Sequence, residues 1–482
     1  MPLVTDVPLV VDLDGTLTPT DTLVESVLKV VRQSPLNLLR MPIWLMRGRA
    51  GFKTCVAARA GIAAQHLPYR APLIDYLQDE KAKGRQIILA TAAHRTIADS
   101  VAGHLGLFDQ VLASDTHHNL KGASKLQAIR ERVGDAFVYA GDSRADLPIW
   151  LAAEGAVLVD VPERMAEVVR QRVRVEREFH APQVGCFVWL RALRVHQWLK
   201  NLLLLVPMLT AFSFTDAGKM LNMVLAFLAF SLTASATYIL NDLGDLENDR
   251  AHPRKRLRPF ASAQLPILGG LGASISTLAV AFGLAWLVSS EFVWTLMAYL
   301  ALTSAYSWVL KSYMLVDVLL LSLLYTLRIL AGAVAIGVAV SSWLLAFSVF
   351  IFLSLALVKR CAELIVLGAN GEAVLHGRDY RVTDLVVLWP LGVGAALSAV
   401  VVFGLFIHAP ETQSRYSSPQ LLWLVGVGLI YWLARLWVKT ARGEMHDDPV
   451  VFAAKDRGSR LTILAMVVVM LAAHFLTFGA LS

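Results

Sequence analysis

Charge is scarce in this chain. Asp, Glu, Lys and Arg make up 17% of its 482 residues, where a soluble protein usually carries about 25%. With 56% hydrophobic residues and a mean hydropathy of +0.57, that shortfall excludes a disordered or collagen-like chain and an ordinary soluble enzyme. Cysteine is scarcer still. Cys55, Cys186 and Cys361 stand far apart, so neither a disulfide framework nor a zinc site is expected. A secretory leader is also missing from the reading: residues 1–5 hold no basic region before an apolar run, and Asp6, Asp12 and Asp14 follow at once. The amino-terminal segment is therefore expected to stay in the cytoplasm, while most of the chain dissolves in lipid. The net charge of +7 suits basic cytoplasmic loops as well as it suits an anion binder, and no nucleic-acid partner is expected.

The hydrophobicity is unevenly spread. Residues 1–180 read as a soluble α/β domain, with short β-rich runs at 9–13, 86–90, 110–113, 137–140 and 156–161 and helical patterns between them. Such alternation predicts a parallel, doubly wound, Rossmann-like sheet. A basic stretch at 163–179, holding Arg164, Arg170, Arg172, Arg174 and Arg177, reads as a solvated linker helix or a segment drawn to anionic headgroups. Residues 181–198 form a linker or interfacial segment, and 199–482 an all-α membrane domain. Nine apolar segments lie there, near 199–214, 221–240, 266–289, 292–310, 314–337, 341–358, 385–407, 419–438 and 461–480. Each approaches the ~20 residues of a spanning helix. A cytoplasmic start puts the carboxyl terminus outside. The loops on that outer side then hold only Lys219 and Arg415, and the remaining basic loop residues face inward.

In the soluble domain, Val10-Val11-Asp12-Leu13-Asp14-Gly15-Thr16 sets two carboxylates and a glycine turn directly after an apolar strand. Ligands of open α/β sheets bind at the carboxyl ends of strands. A buried aspartate there can accept a phosphoryl group, and a second carboxyl two positions on can act as general acid. Neighbouring carboxylates repel, so a cation such as Mg²⁺ is expected between them. Thr91 in Leu89-Ala90-Thr91-Ala92, Lys121 in Asn119-Leu120-Lys121-Gly122, and the acids of Gly141-Asp142-Ser143-Arg144-Ala145-Asp146 follow at later strand ends. This set resembles the haloacid dehalogenase (HAD) superfamily of phosphatases. The resemblance implies Asp12 as nucleophile, Asp14 as acid/base, and Thr91 and Lys121 as phosphate holders, with Lys125 competing for the lysine's role. It also implies Asp142 as a Mg²⁺ ligand beside Asp12 and Asp14, Asp146 as a supporting acid, and a small helical cap within 18–84.

In the membrane domain, the second apolar segment ends in Asn241-Asp242-Leu243-Gly244-Asp245-Leu246-Glu247-Asn248-Asp249. On one continuous helix, Asn241, Asp245 and Asp249 would stack on a single face, about 6 Å apart per step. Oxygen ligands so spaced suit Mg²⁺ bridging to a diphosphate. The cationic loop His252-Pro253-Arg254-Lys255-Arg256-Leu257-Arg258 follows immediately. Acids for a metal followed by bases for phosphates make a diphosphate-handling set, and juxtamembrane carboxylates are functional candidates by default.

These residues resemble the UbiA superfamily of intramembrane prenyltransferases, whose first motif N-D-x-x-D-x-x-x-D is complete here. That family's second motif, D-x-x-x-D, is not: Asp317 has Leu321 four positions on. Arg194-Val195-His196-Gln197-Trp198-Leu199-Lys200-Asn201, Tyr306-Ser307-Trp308-Val309-Leu310-Lys311 and Lys359-Arg360-Cys361-Ala362-Glu363 are similar to one branch, the decaprenyl-phosphate phosphoribosyltransferases. The resemblance implies Mg²⁺ on Asn241, Asp242, Asp245 and Asp249. It further implies phosphates held by Lys200, Lys255, Arg256, Arg258, Lys311, Lys359 and Arg360, with Glu363 orienting Arg360. Arg328 lies within an apolar segment and is expected to face the cavity. Phosphoribosyl diphosphate (PRPP) would be the donor and polyprenyl phosphate the acceptor. Prenyl transfer from a prenyl diphosphate to an aromatic acceptor is the alternative. The 5-phosphate left on the product gives the HAD-like domain a task.

Overall fold

The computed structural model of the chain describes residues 7–116, 118–182, 184–371, 373–375, 378–445 and 448–477. It divides into two compact bodies, Met1–Leu193 with Tyr238–Ala273, and Arg194–Thr237 with Ser274–Ser482.

In the first body, β1 (Leu9–Val11), β2 (Ile87–His94), β3 (Gln110–Ser114), β4 (Val138–Gly141), β5 (Gly155–Val159) and β6 (Arg174–Phe179) form one all-parallel sheet in the order β3-β2-β1-β4-β5-β6. Strands β1 and β5 are buried on both faces, so they read as unbroken apolar runs. Strand order reverses at β1, and a ligand crevice is expected beyond the carboxyl ends of β1 and β4. Between β1 and β2 lies a helical cap, α1 (Thr22–Gln33), α2 (Asn37–Leu45) and α3 (Gly48–Ala60), followed by α4 (Ala71–Ala82). Met41, Trp44, Val30, Val56 and Ala60 pack into the cap's own small core.

The basic stretch 163–179 is not one helix. Residues Glu163–Arg170 are helical, and Arg174–Phe179 pair with β5 as an edge strand. Four of its charges are paired: Arg170 binds Glu163 and Glu178, while Glu176 receives Arg85. Mixed charges on an edge strand also discourage pairing with other chains.

Among the described residues, seven helices are long and apolar enough to cross a membrane, not nine: Ala217–Gly244, Ile267–Val288, Val316–Ile336, Ser342–Ala369, Val382–His408, Pro419–Ala441 and Arg457–Phe475. Residues 195–210 form a 3₁₀ run, Val195–Leu205, and a five-residue helix, Val206–Thr210. Pro207 stands at the start of that helix and has no N–H with which to continue the ladder. The helix Ser290–Trp308 has the length, but polar residues such as Glu291, Thr295 and Ser304 dilute its apolar run. In the second body, Leu355, Leu357, Val358 and Leu364 of Ser342–Ala369 pack with Leu388, Ala396, Leu433, Leu436 and Trp437 in one core.

Candidate functional site

Beyond the carboxyl ends of β1 and β4 opens a cavity of about 670 Å³. Its floor holds Asp12, Asp14, Lys125, Asp142 and Asp146. Asp12 follows β1 directly; its N–H donates to the carbonyl of Ala140 in β4 (3.0 Å), which locks the two strand ends together. Its Oδ1 accepts from Leu13 N–H (2.8 Å) and its Oδ2 from Lys125 Nζ (2.6 Å). Lys125 is buried and also donates to Tyr139 Oη (3.0 Å), which in turn donates to Asp146 Oδ1 (2.8 Å). Asp146 Oδ2 accepts from Ser143 N–H and Oγ, so this acid braces the turn after β4.

One carboxylate oxygen each from Asp12, Asp142 and Asp146 lies within 4.8 Å of the others. Hard oxygen donors so placed fit a divalent cation of the Mg²⁺ type. The glycine turn makes room for this grouping: Gly15 has φ +80°, and a Cβ there would sit 2.1 Å from Asp142 Oδ2. Burial, and then Asp21, pushes the Asp14 carboxyl up to about 7. Burial, and then Asp12 and Asp146, does the same for Asp142. Burial raises Asp12 too, against the pull of Lys125. Burial works against the Lys125 charge, but Asp12 and Asp146 hold its ammonium above the usual lysine range.

Asp14 accepts the N–H of Thr22 (2.8 Å), the first residue of α1. Thr91 is fully buried, and its hydroxyl accepts from Ala93 N–H (2.9 Å); Ala92, Ala93 and His94 rather than Thr91 line the cavity. Lys121 lines the cavity but is exposed, and it is Lys125 that binds Asp12. Sequence reasoning missed two groups. Tyr139 sits two positions before Gly141 on β4 with no motif to mark it. Lys53 reaches over from α3 to Ala92 O (2.5 Å) and Asn119 Oδ1 (2.8 Å), and burial lowers its basicity.

The acidic stretch 241–249 belongs to the same body. Its helix stops at Gly244, and Asp245 (φ −109°, ψ 18°) begins a second helix, Leu246–Ala251. Gly and Asp are both poor helix formers, so Asn241, Asp245 and Asp249 do not share one unbroken helix face. Arg258 bridges Asp242 (3.1 Å) and Asp249 (2.6 Å). Lys255 and Arg256 are exposed. Cap helix α1 meets this stretch in a ladder of three ion pairs. Glu25 takes Arg250 in a two-pronged pair (2.7 and 2.8 Å), Lys29 pairs with Glu247, and Arg32 lies 3.3 Å from Asp245. Nothing in the motif signalled these partners, because they lie more than two hundred residues away in sequence.

In the second body, Lys200 (2.8 Å) and Lys359 (3.7 Å) converge on Asp448, which also accepts from Tyr325 Oη. Burial pushes Asp448 up, but Lys200 and Lys359 outweigh it and hold the carboxyl below its usual range. No motif marks Asp448 in the sequence; its side chain also caps Val450 N–H (3.1 Å). Arg360 is fully buried against Asp317 and Glu363, and Asp317 also takes Arg378 and Tyr380. Arg328 is buried and bonded to Asn201, the Leu324 carbonyl and Tyr299. Lys311 is half-buried at the turn after Trp308.

Comparison with known proteins finds relatives of both parts of the chain. Residues 204–452 match the UbiA prenyltransferase family and residues 9–150 the haloacid dehalogenase-like hydrolases. An uncharacterized protein, y4nM, of Sinorhizobium fredii is 41% identical over 94% of this chain and 88% of its own. A decaprenyl-phosphate phosphoribosyltransferase of Mycobacterium tuberculosis is 31% identical over 58% of this chain and 91% of its own. Among solved structures, a UbiA homolog from Archaeoglobus fulgidus bound to GPP and Mg²⁺ matches 60% of this chain and 100% of its own, at 15% identity and TM-score 0.46. The chain thus belongs to the UbiA prenyltransferase family of integral membrane proteins, and it carries a haloacid dehalogenase-like hydrolase domain ahead of the family's membrane domain.

Proposed function

We propose that the chain performs two consecutive steps, phosphoribosyl transfer from PRPP to a polyprenyl phosphate and removal of the 5-phosphate from the product. The observation that carries this reading is the ion-pair ladder. The cap helix that roofs a phosphoryl-transfer cavity grips the acidic stretch of a diphosphate-handling motif. The relatedness to a decaprenyl-phosphate phosphoribosyltransferase supports the donor and acceptor. The incomplete second acidic motif, with Asp317 engaged by Arg360, speaks against ordinary prenyl transfer.

In the first step, an oxygen of the lipid phosphate attacks the anomeric carbon of the ribose, and the bond to the diphosphate breaks. Mg²⁺ on Asn241, Asp242, Asp245 and Asp249 would neutralise the departing diphosphate. Lys255, Arg256, Arg258 and Lys359 are the cations assigned to phosphate, and Lys200 to the lipid phosphate. In the second step, Asp12 attacks phosphorus and the ribose 5-oxygen leaves with a proton from Asp14. Water then attacks the aspartyl phosphate, returning its proton to Asp14 and releasing inorganic phosphate. Mg²⁺ on Asp12 and Asp142 would offset the phosphate's charge, and Lys125 holds Asp12 in place. Asp14, raised to about 7 by burial, suits an acid that must give and regain a proton near neutrality. With all nine apolar segments taken as crossings, the skew of Lys and Arg among the loops supports an amino-terminal domain on the cytoplasmic side of the inner membrane and a carboxyl terminus outside.

Purified protein given PRPP, Mg²⁺ and polyprenyl phosphate should yield lipid-linked ribose by mass spectrometry, with diphosphate and phosphate both released. Radiolabelled prenyl diphosphate with an aromatic acceptor should give no product, and Asp245→Ala should abolish transfer from PRPP. Prenyl transfer, or full transfer by Asp245→Ala, would defeat the reading. Gly15→Ala should cut phosphate release by about 100-fold, the scale of a 1 Å misplacement in an active site. Diphosphate release by that variant should match the wild type in the same assay.

A further inference from the structure

Helix α2 of the cap is amphipathic in the wrong sense for a soluble protein. Its inner face, Asn37, Met41 and Trp44, is buried. Its outer face and flanks are apolar and open: Leu36 is 64% exposed, Leu39 74%, Ile43 57% and Met46 87%. Single exposed apolar side chains need no explanation, but a contiguous patch on one helix marks an interaction surface. Exposed arginines, Arg40, Arg47 and Arg49, surround it. An apolar face ringed by basic residues is the signature of a helix lying in the plane of an anionic bilayer.

The lining of the same cavity supplies a second, independent observation. It includes Ile267 and Leu268, which open the apolar helix Ile267–Val288. Twenty-two residues rise about 33 Å, against a hydrocarbon core of ~30 Å, so the helix can span only if its first turn lies at the membrane edge. Leu268, which lines the cavity, is itself 65% exposed. The cavity is thus lined by Ile267 and Leu268 of an apolar helix and by Leu45, Arg49 and Phe52 of the cap, together with the polar group at Asp12.

We propose that α2 is seated in the headgroup layer of an anionic bilayer, and that the phosphatase cavity takes a lipid-linked phosphomonoester sideways from that bilayer. The substrate half of this proposal rests on the function proposed above; the seating of α2 does not. The test uses the full chain in vesicles of phosphatidylcholine with phosphatidylglycerol. In a background with Cys55, Cys186 and Cys361 replaced, Leu39→Cys carries a fluorophore, and Asp135→Cys, in the turn before β4, is the control. The label at 39 should be quenched several-fold more by lipid-borne nitroxide than by aqueous iodide, and the label at 135 the reverse. Equal iodide quenching at both positions would overturn the seating. The double variant Leu39→Glu/Ile43→Glu should hydrolyse a polyprenyl-linked phosphomonoester at least tenfold more slowly while keeping its rate on p-nitrophenyl phosphate. Parallel loss on both substrates, or loss on neither, would overturn lateral entry. A wild-type chain inactive on both substrates would instead overturn the proposed phosphatase step, and quenching would still decide the seating.

Discussion

Asp12→Asn is expected to stop release of inorganic phosphate while diphosphate release from PRPP continues. The substitution is nearly isosteric. The side-chain carbonyl can keep the Leu13 N–H bond, and Lys125 retains Asp146 at 3.7 Å and Tyr139 as partners, so the domain should remain folded. What disappears is the nucleophile, since an amide does not form an acyl phosphate. Removal of a covalent nucleophile costs on the order of 10⁴-fold or more. The lipid product should then accumulate with its 5-phosphate in place, detectable as the heavier lipid-linked ribose by mass spectrometry. Free phosphate at the wild-type rate from this variant would mean that Asp12 does not carry the second step.

The elements that position Asp12 were the most legible part of the chain. Apolar runs after turn signals marked five strands, because a strand buried on both faces is apolar throughout, and each motif acid falls just past such a run. The sixth strand hid behind its arginines. Arg174-Val175-Glu176-Arg177-Glu178-Phe179 reads as a charged helix until Glu176 and Glu178 are seen to serve Arg85 and Arg170, which no local pattern encodes. Two of the nine apolar segments, near 199–214 and 292–310, form no described helix that is both long and apolar enough to cross a membrane. Residues 195–210 carry His196, Gln197, Lys200 and Asn201 among their apolar positions and fold as a 3₁₀ run and a short helix, while polar residues dilute Ser290–Trp308. The acidic motif was plain as a pattern, whereas its partners were not: Arg32 and Lys29 meet Asp245 and Glu247, and Glu25 meets Arg250, only through tertiary folding. Lys125 and Lys121 are each plausible in sequence. Only a buried path from the start of the helix Ala123–Arg132 to Asp12 separates them.

Arg360 illustrates how far a cation's role depends on burial, and its removal should have the largest effect on stability. It and Asp317 are both fully buried, and Asp317 draws further on Tyr380 (2.5 Å) and Arg378 (3.2 Å). Arg360→Ala leaves the Asp317 carboxylate without its one fully buried cation, a change that costs about 3–5 kcal/mol in comparable sites. Thermal unfolding in detergent, followed by size-exclusion chromatography, should show early melting and loss of the monodisperse peak. Arg360→Lys should rescue little, because an ammonium cannot reach Asp317 and Glu363 together as the guanidinium does. Replacing both charges, Asp317→Leu with Arg360→Met, should restore most of the melting temperature, since a well-packed apolar pair can match a buried ion pair. That double variant also separates structure from substrate binding. With no surface open to a ligand, Arg360 is expected to act by positioning the helices Val316–Ile336 and Ser342–Ala369, so the refolded double variant should keep the donor KM near wild type. A folded double variant whose KM for PRPP rose steeply would instead place the guanidinium on a donor phosphate.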